Sequence, residues 1–230
     1  MDEPQELFAR AQTGHLVPTG NRRDVADVPG IGSVEYSVVD IAGLQVFVSA
    51  SDFGLHGTEG PLEIQNMRDV CSRLDYLRRK VAVDLGFATS IDTAADESPV
   101  TPFTIPVAPP ADWQLYGTDE RRPADSCDLF ARCIVGEFVH KAFPGTGAIP
   151  VGVAAAIHGT VVHDAARPQA PATGTFRIGH PSGTLTVGVE VADRESDVAV
   201  VRAALTRTAR RIFAGTVFAE PSRVPALGHQ

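Results

Sequence analysis

Phe143-Pro144-Gly145-Thr146-Gly147-Ala148-Ile149-Pro150-Val151-Gly152-Val153-Ala154-Ala155-Ala156-Ile157 carries one polar side chain, Thr146. The run falls short of the ~20 residues that span a bilayer. A helix apolar on every side belongs inside a protein, so 143–157 is expected to form a buried helix opened by Gly-Thr-Gly. Such an opening points unpaired backbone N–H groups forward, with the positive end of the helix dipole behind them. That is an anion site, although a plain tight turn is the bland alternative for the same glycines. Arg132, His140, Lys141 and the string His180-Pro181-Ser182-Gly183 crowd the approach.

Outward from this helix the flanks read as strands. Leu129-Phe130-Ala131-Arg132-Cys133-Ile134-Val135 leads toward it, and Gly159-Thr160-Val161-Val162 is expected to leave it as a short strand. Thr175-Phe176-Arg177-Ile178 runs into the His180 string. Leu185, Val187, Val189 and Val191 then alternate with Thr184, Thr186, Gly188 and Glu190, a strand with one wet face. Nearer the start, 34–40 and 44–48 flank Gly43 as a hairpin. The proline-rich stretch 98–112 holds one strand, at 103–105, which its prolines place at a sheet edge. Residues 113–125 read as a polar loop whose Trp113 and Tyr116 form a satellite packing patch or, alternatively, a binding surface.

Ile64, Met67, Cys71, Leu74, Leu77, Val81 and Leu85 make one helical stripe over 61–85. Pro61 suits its first turn and Gly86 its stop. Cys71 on that stripe is a core thiol. Residues 198–212 fit a helix or a strand, and Gly215-Thr216-Val217-Phe218 reads as a closing strand. Together these elements predict an α+β domain in which an antiparallel sheet curls around a central buried helix. Residues 1–33 read as the remnant of a preceding lobe and a connecting arm, 34–219 as the lobe itself and 220–230 as a loose tail.

Composition narrows the function. The chain has 230 residues, 43% apolar and 21% charged, with a formal net charge of −8. An acidic chain does not suit non-specific nucleic-acid binding. No apolar run is long enough for a membrane span, and the acidic start Met1-Asp2-Glu3-Pro4-Gln5-Glu6 lacks a signal peptide's apolar core. Three cysteines, without zinc-ligand spacing, point to a reduced, cytoplasmic chain. Gly145-Thr146-Gly147 is neither a phosphate P-loop nor a dinucleotide fingerprint, because no Lys-Ser/Thr pair follows and no acidic residue stands at the right distance. No cofactor and no metal are expected.

His140 and Lys141 are placed to pair with a carboxylate, or else form a solvated loop tip. His180-Pro181-Ser182-Gly183 is either a plain β-turn or a second loop offering a hydroxyl, an imidazole and N–H groups to an anion. Arg207-Thr208-Ala209-Arg210-Arg211 reads as a solvated basic face. Cys127 and Cys133 read as inert buried thiols.

Taken in order, the strings resemble the PrpF-type family of 2-methylaconitate isomerases and oxalomesaconate tautomerases. Leu16-Val17-Pro18-Thr19-Gly20-Asn21 is similar to that family's Leu-(Leu/Phe)-Pro-Thr-Gly-Asn. Asp52-Phe53-Gly54-Leu55-His56-Gly57-Thr58-Glu59 resembles its Asp-x-Gly-x-x-Gly-Thr-Glu turn. His140-Lys141-Ala142-Phe143-Pro144-Gly145-Thr146-Gly147-Ala148 is similar to its His-x-Ala-x-x-x-Thr-Gly-Ala. Gly159-Thr160-Val161, Ile178-Gly179-His180-Pro181-Ser182-Gly183 and the 207–215 segment follow in family order.

The resemblance implies a diaminopimelate-epimerase-like fold of two lobes, each a sheet around a central helix, with the active site in the cleft. It also implies substrate contacts at Asn21, His140, Lys141, Gly145, Thr146, Gly147, Ala148, His180, Ser182 and Gly183. The family's Gly-Gly-Thr-Ser-Lys and Cys-Gly-Asn motifs, which carry its proton-transferring lysine and cysteine, are not in this chain, and Leu44-Gln45 stands where the family often has proline. The chain therefore resembles the second lobe plus the segment leading into it, and no catalytic residue is assigned.

The implied function is isomerisation of small unsaturated di- or tricarboxylates by allylic proton transfer. The first lobe would come from a separate chain or from sequence upstream of Met1. The alternative is a non-catalytic carboxylate-binding or interaction module. A lobe of this kind would expose an apolar face and so pair with a first-lobe chain or with a second copy of itself.

Overall fold

The computed structural model describes residues 12–136, 138–167, 173–194, 197–206, 210–216 and 218. Apolar alternation sets the first strands. β1 (Asp24–Val28), β2 (Gly32–Asp40) and β3 (Leu44–Ser49) form an antiparallel meander with Ala26 opposite Val34 and Val38 opposite Val46. β1 lies within the stretch expected to be an arm. It joins the sheet because Ala26 and Val28 are buried while Val25 stays 60% exposed, the alternation of a strand with one wet face.

The stripe over 61–85 is present but interrupted. α1 (Pro61–Asn66) and α2 (Arg68–Asp84) meet at Met67, whose ψ of 71° leaves the helical region. Ile64, Leu74, Leu77 and Val81 are buried as their spacing requires. α3 (Ala94–Glu97) is a single turn.

β4 (Phe103–Ala108) corrects the edge-strand expectation. The expected polar loop after it contains a short ribbon of β5 (Trp113–Gln114) and β6 (Arg121–Arg122). β4 lies inside the main sheet, parallel to β3 on one side and antiparallel to β7 (Leu129–Ala131) and β8 (Ile134–Val135) on the other. The carbonyl of Pro106 accepts a hydrogen bond from Arg132 N at 3.0 Å. Its missing N–H therefore faces the gap between β7 and β8, where the ladder is already interrupted.

β9 (Phe138–Val139) turns back on β8, and the apolar stretch forms α4 (Gly145–Ala156). The strand expected from Gly159 is instead a helix, α5 (Val161–Ala165). Thr160 Oγ1 accepts from His163 N at 3.0 Å and donates to Ala154 O at 2.7 Å. That N-cap outweighs the strand preference of Val161 and Val162. β10 (Thr173–His180), β11 (Gly183–Arg194) and β12 (Asp197–Leu205) complete the sheet, so the ambiguous segment is a strand as far as Leu205. Among the described residues Gly215, Thr216 and Phe218 join no strand. Arg207, Thr208, Ala209, Val217 and the tail from Glu220 lie outside the described residues.

The strand order is β1-β2-β3-β4-β7-β10-β11-β12, with β8 and β9 branching from β4. The sheet is mixed rather than antiparallel: β3 with β4 and β7 with β10 are parallel. Each of these pairs is joined by a helical crossover, as parallel neighbours require. Val38, Val46 and Val48 pack with α1 and α2, whereas their neighbours Val39 and Phe47 pack with α4 and α5. The crossovers thus cover opposite faces. Val39, Phe47, Ile105, Leu129, Phe176 and Val187, one from each strand from β2 across to β11, surround α4 in a single core. The sheet curls around this helix as expected, in an α+β architecture. No helix among the described residues is long and apolar enough to cross a membrane.

Candidate functional site

The head of α4 is built from small residues and left uncapped. Pro144, in extended conformation, accepts from Ala148 N at 3.0 Å, and no side chain caps the helix. The first N–H groups therefore have no intrahelical acceptor. A Cβ on Gly147 would fall 2.9 Å from Pro144 Cγ and 3.0 Å from Gln45 Nε2, so the turn requires glycine there. Gln45 Nε2 donates to the Gly147 carbonyl at 3.0 Å and ties the helix head to β3. Thr146 is exposed, and Gly145, Gly147 and Ala148 are buried.

His140 and Lys141 follow β9. His140 N donates to Cys133 O at 2.9 Å, and Ala142 N donates to His140 Nδ1 at 3.2 Å. The His180-Pro181-Ser182-Gly183 string is the hairpin turn between β10 and β11, and it is held from two sides. Ser182 Oγ donates to Lys141 O at 2.7 Å, and Tyr116 N donates to Pro181 O at 2.8 Å. Ser182 N also donates to His180 Nδ1 at 3.2 Å. In both histidines the Nδ1 atom is thus an acceptor, which puts the proton of the neutral ring on Nε2. Burial, then the charges of Arg132 and His140, push the His180 pKa down to about 4, so this ring is uncharged at neutral pH.

Arg132 occupies the gap between β7 and β8 and is 1% exposed. Its Nε donates to Glu59 O at 3.0 Å, and its Nη1 donates to Ala131 O at 3.1 Å and Gly179 O at 3.4 Å. Its Nη2 is buried without a hydrogen-bond partner. Burial lowers its pKa to about 10, against the opposing pull of Glu59 and Cys127, which leaves it a cation. No carboxylate touches it among the described residues. Burial disfavours the ionised form of Glu59, but N–H groups of His56 and Gly57 and the His56 ring bind that carboxylate and hold its pKa below the ordinary value.

The fold therefore brings His140, Lys141, His180, Ser182 and Gly183 to one place beside Arg132. Gly145 begins four residues after Lys141, which bounds the helix head to within about 14 Å of the turn. Asn21 is not part of this group. Its Nδ2 donates to Asp24 at 2.7 Å, and the adjacent Arg22 donates to His158 O beyond the far end of α4. A twelve-residue helix separates the two ends by about 18 Å.

Glu59 was not legible as a neighbour of the site, because only the β4–β7 pairing brings Arg132 to it. The signal for Arg132 was a lone cation in an apolar strand. Cys127 and Cys133 are fully buried thiols whose pKa values burial pushes up to about 11 and about 12, as their apolar settings suggested. Trp113 packs edge-on against Phe130 with ring centroids 5.0 Å apart, the packing role expected of it. A groove of about 880 Å³ opens beside the turn, lined by Glu59, Trp113, Tyr116, Arg121 and Pro181 among others. Among the described residues no cluster of three His, Cys, Asp or Glu is placed to hold a metal ion.

The sequence profile of the family described as PrpF protein matches residues 7–220. The chain belongs to the PrpF family. Its relatives in that family include a 3-methylitaconate isomerase of Eubacterium barkeri, 36% identical over 94% of this chain and 55% of the relative. A 2-methyl-aconitate isomerase of Shewanella oneidensis is 34% identical over 89% of this chain and 50% of the relative. The crystal structure of a methylitaconate-delta-isomerase superposes with a TM-score of 0.80 at 33% identity, covering 93% of this chain and 57% of that one. The chain spans about half the length of the curated relatives it matches.

Proposed function

We propose that this chain is the carboxylate-holding lobe of an isomerase acting on small unsaturated di- or tricarboxylates, with a diaminopimelate-epimerase-like fold. One observation carries this function: an uncapped helix head, two imidazoles whose Nδ1 atoms accept backbone N–H groups and a buried cation lie near one another at one end of the lobe. Membership of a family that contains methylitaconate and methylaconitate isomerases supports it.

The chemistry is allylic proton transfer. A base takes a proton from the carbon next to the double bond, the electron pair spreads over the alkene and its carboxylate, and an acid returns a proton at the other end. The intermediate is an extended anion, stabilised by fixed N–H donors and nearby positive charge. His140, Lys141, the N–H groups at 145–148 and the 180–183 turn supply such donors here. The groups that move the proton are assigned to the family's first lobe, contributed by a separate chain or by sequence adjoining this one. The buried, protonated state of Cys127 and Cys133 fits that division and a reducing, cytoplasmic setting. Pairing of two copies is the alternative way to cover the lobe.

The test follows deuterium uptake from deuterium oxide into 2-methylaconitate and cis-aconitate. The chain alone is expected to bind the tricarboxylate without exchange. Adding a polypeptide that carries the family's Gly-Gly-Thr-Ser-Lys and Cys-Gly-Asn lobe is expected to start exchange. Neither binding nor exchange in any combination would overturn the proposal, and binding without exchange in every combination would favour a non-catalytic carboxylate-binding module.

A further inference from the structure

His158, in the turn after α4, and His163, on α5, bring their ring centroids to within 4.5 Å. The acceptors around them fix both tautomers. His158 Nδ1 stands 2.9 Å from Asp193 Oδ2, and His163 Nδ1 stands 2.9 Å from the Ala155 carbonyl oxygen. Burial opposes ionisation of Asp193, but hydrogen bonds from His158 and Arg22 hold its pKa below the ordinary carboxylate value. Neither oxygen therefore carries a proton, each Nδ1 is the donor, and each Nε2 of the neutral ring is a bare lone pair. His140 and His180 are the reverse, since their Nδ1 atoms accept. No hydrogen bond engages Nε2 of His158 or His163 among the described residues. The His158 side chain is 67% exposed, so the pair is open to solvent.

We propose that His158 and His163 hold a divalent transition-metal ion through their Nε2 atoms, with Asp193 and the Ala155 carbonyl orienting the rings. An imidazole that gives its Nδ1–H to a carboxylate or carbonyl and leaves Nε2 bare is the form that ligates metals. No third His, Cys, Asp or Glu joins the pair among the described residues, so water completes the coordination. A bond of about 2.0 Å to each Nε2 would set each ring centre about 3.2 Å from the ion. Rings 4.5 Å apart then subtend about 90° at the ion, whereas tetrahedral ligation would separate them by about 5.2 Å. Right angles suit Ni²⁺ and Cu²⁺, which prefer imidazole, and not Mg²⁺, which prefers oxygen.

The surroundings tolerate a cation. The pair sits at the C-terminal end of α4, where the helix dipole favours positive charge. The two guanidiniums that reach this turn are already matched. Arg22 binds Asp193 and the His158 and Arg194 carbonyls, and Arg23 binds Asp164, Glu35 and the Gly159 carbonyl. The ion would tie the end of α4 to α5 and, through Asp193, to β11. Lying about 18 Å from the carboxylate-holding head of α4, it is a clamp on the lobe and takes no part in proton transfer.

Calorimetric titration of the full, untagged chain with Ni²⁺ tests this, with Mg²⁺ as the control. Saturable Ni²⁺ binding is expected, far tighter than that of Mg²⁺. Asp193→Asn, which removes the carboxylate behind His158, is expected to weaken Ni²⁺ binding about tenfold. His158→Gln and His163→Gln, which each remove a ligand, are expected to weaken it by more, whereas His56→Gln, at an exposed ring on another turn, leaves it unchanged. Proton–nitrogen correlation NMR is expected to show both Nδ1 atoms protonated and, with Zn²⁺ as a diamagnetic probe, both Nε2 resonances shifted.

Equal Ni²⁺ affinity in the unaltered chain and both histidine variants would mean that the ion is held elsewhere and would overturn the proposal. So would a proton on Nε2 of either neutral ring, Zn²⁺ shifts at only one of the two rings, or Ni²⁺ bound no more tightly than Mg²⁺. If Asp193→Asn does not fold, lost Ni²⁺ binding in both histidine variants, with melting temperatures unchanged in metal-free buffer, still supports it.

Discussion

Acid should loosen this lobe earlier than its carboxylates alone require, and His180 is the reason. Unfolded, its imidazole takes up a proton below about 6.5; folded, it resists until about 4. Within that window the unfolded chain binds the extra proton, so stability is fully present above the window and declines as pH falls through it. Each unit is worth about 1.36 kcal/mol, which sets the total near 3 kcal/mol. About 2 kcal/mol of it is lost by about pH 5, a large share of a typical folding free energy.

Urea unfolding at a series of pH values, comparing the unaltered chain with His180→Gln, isolates this contribution. Glutamine does not titrate, and the other groups cancel in the difference. The gap between the two curves should shrink by about 2 kcal/mol between about pH 7 and 5. Curves that stay parallel over that range would refute the claim that His180 is buried and neutral.

Two glycines should not tolerate a methyl group. On Gly179 a Cβ would stand 2.7 Å from Phe130 Cδ1 and 3.0 Å from Cys127 Sγ, and on Gly57, at φ +86°, 2.4 Å from Ala108 Cβ. Gly179→Ala should cost about 1–3 kcal/mol in denaturant midpoint analysis, and Gly57→Ala more, since its backbone is left-handed as well. Thr160→Ala should cost about 1–2 kcal/mol by removing the α5 cap, read out by thermal melting. Cys127 and Cys133 should resist alkylation in the native chain at mildly alkaline pH and react once it is unfolded, as peptide mass mapping would show.

What was legible in the sequence was whatever a single segment decides. The alternation through Val187, Val189 and Val191 and the run 145–156, polar only at Thr146, are local patterns that formed the elements they implied, and the stripe from Ile64 to Leu85 formed helix on both sides of a break at Met67. What was not legible depends on partners. Pro106 argues against a central strand until the gap at Arg132 is known. Val161 and Val162 favour a strand until Thr160 is seen to bond both His163 N and Ala154 O. The parallel pairs follow from where the crossovers lie, which alternation does not encode.

The candidate site divides the same way. His140, Lys141 and the 180–183 turn were visible as strings, and the Ser182–Lys141 hydrogen bond joins them. Asn21 was visible too, yet Arg22 carries its segment to His158 and Asp193 at the other end of α4. The neutral state of His180 was invisible, because burial, Arg132 and His140 produce it from separate segments.

Backbone amide NMR of the full chain titrated with tricarballylate, a saturated tricarboxylate that cannot isomerise, tests the central claim most directly. Saturable shifts centred on Thr146, Gly147, His140 and the turn from His180 to Gly183 are the predicted result. Shifts confined to the groove around Trp113 and Tyr116, or no saturable shift at all, would contradict a carboxylate held at the head of α4.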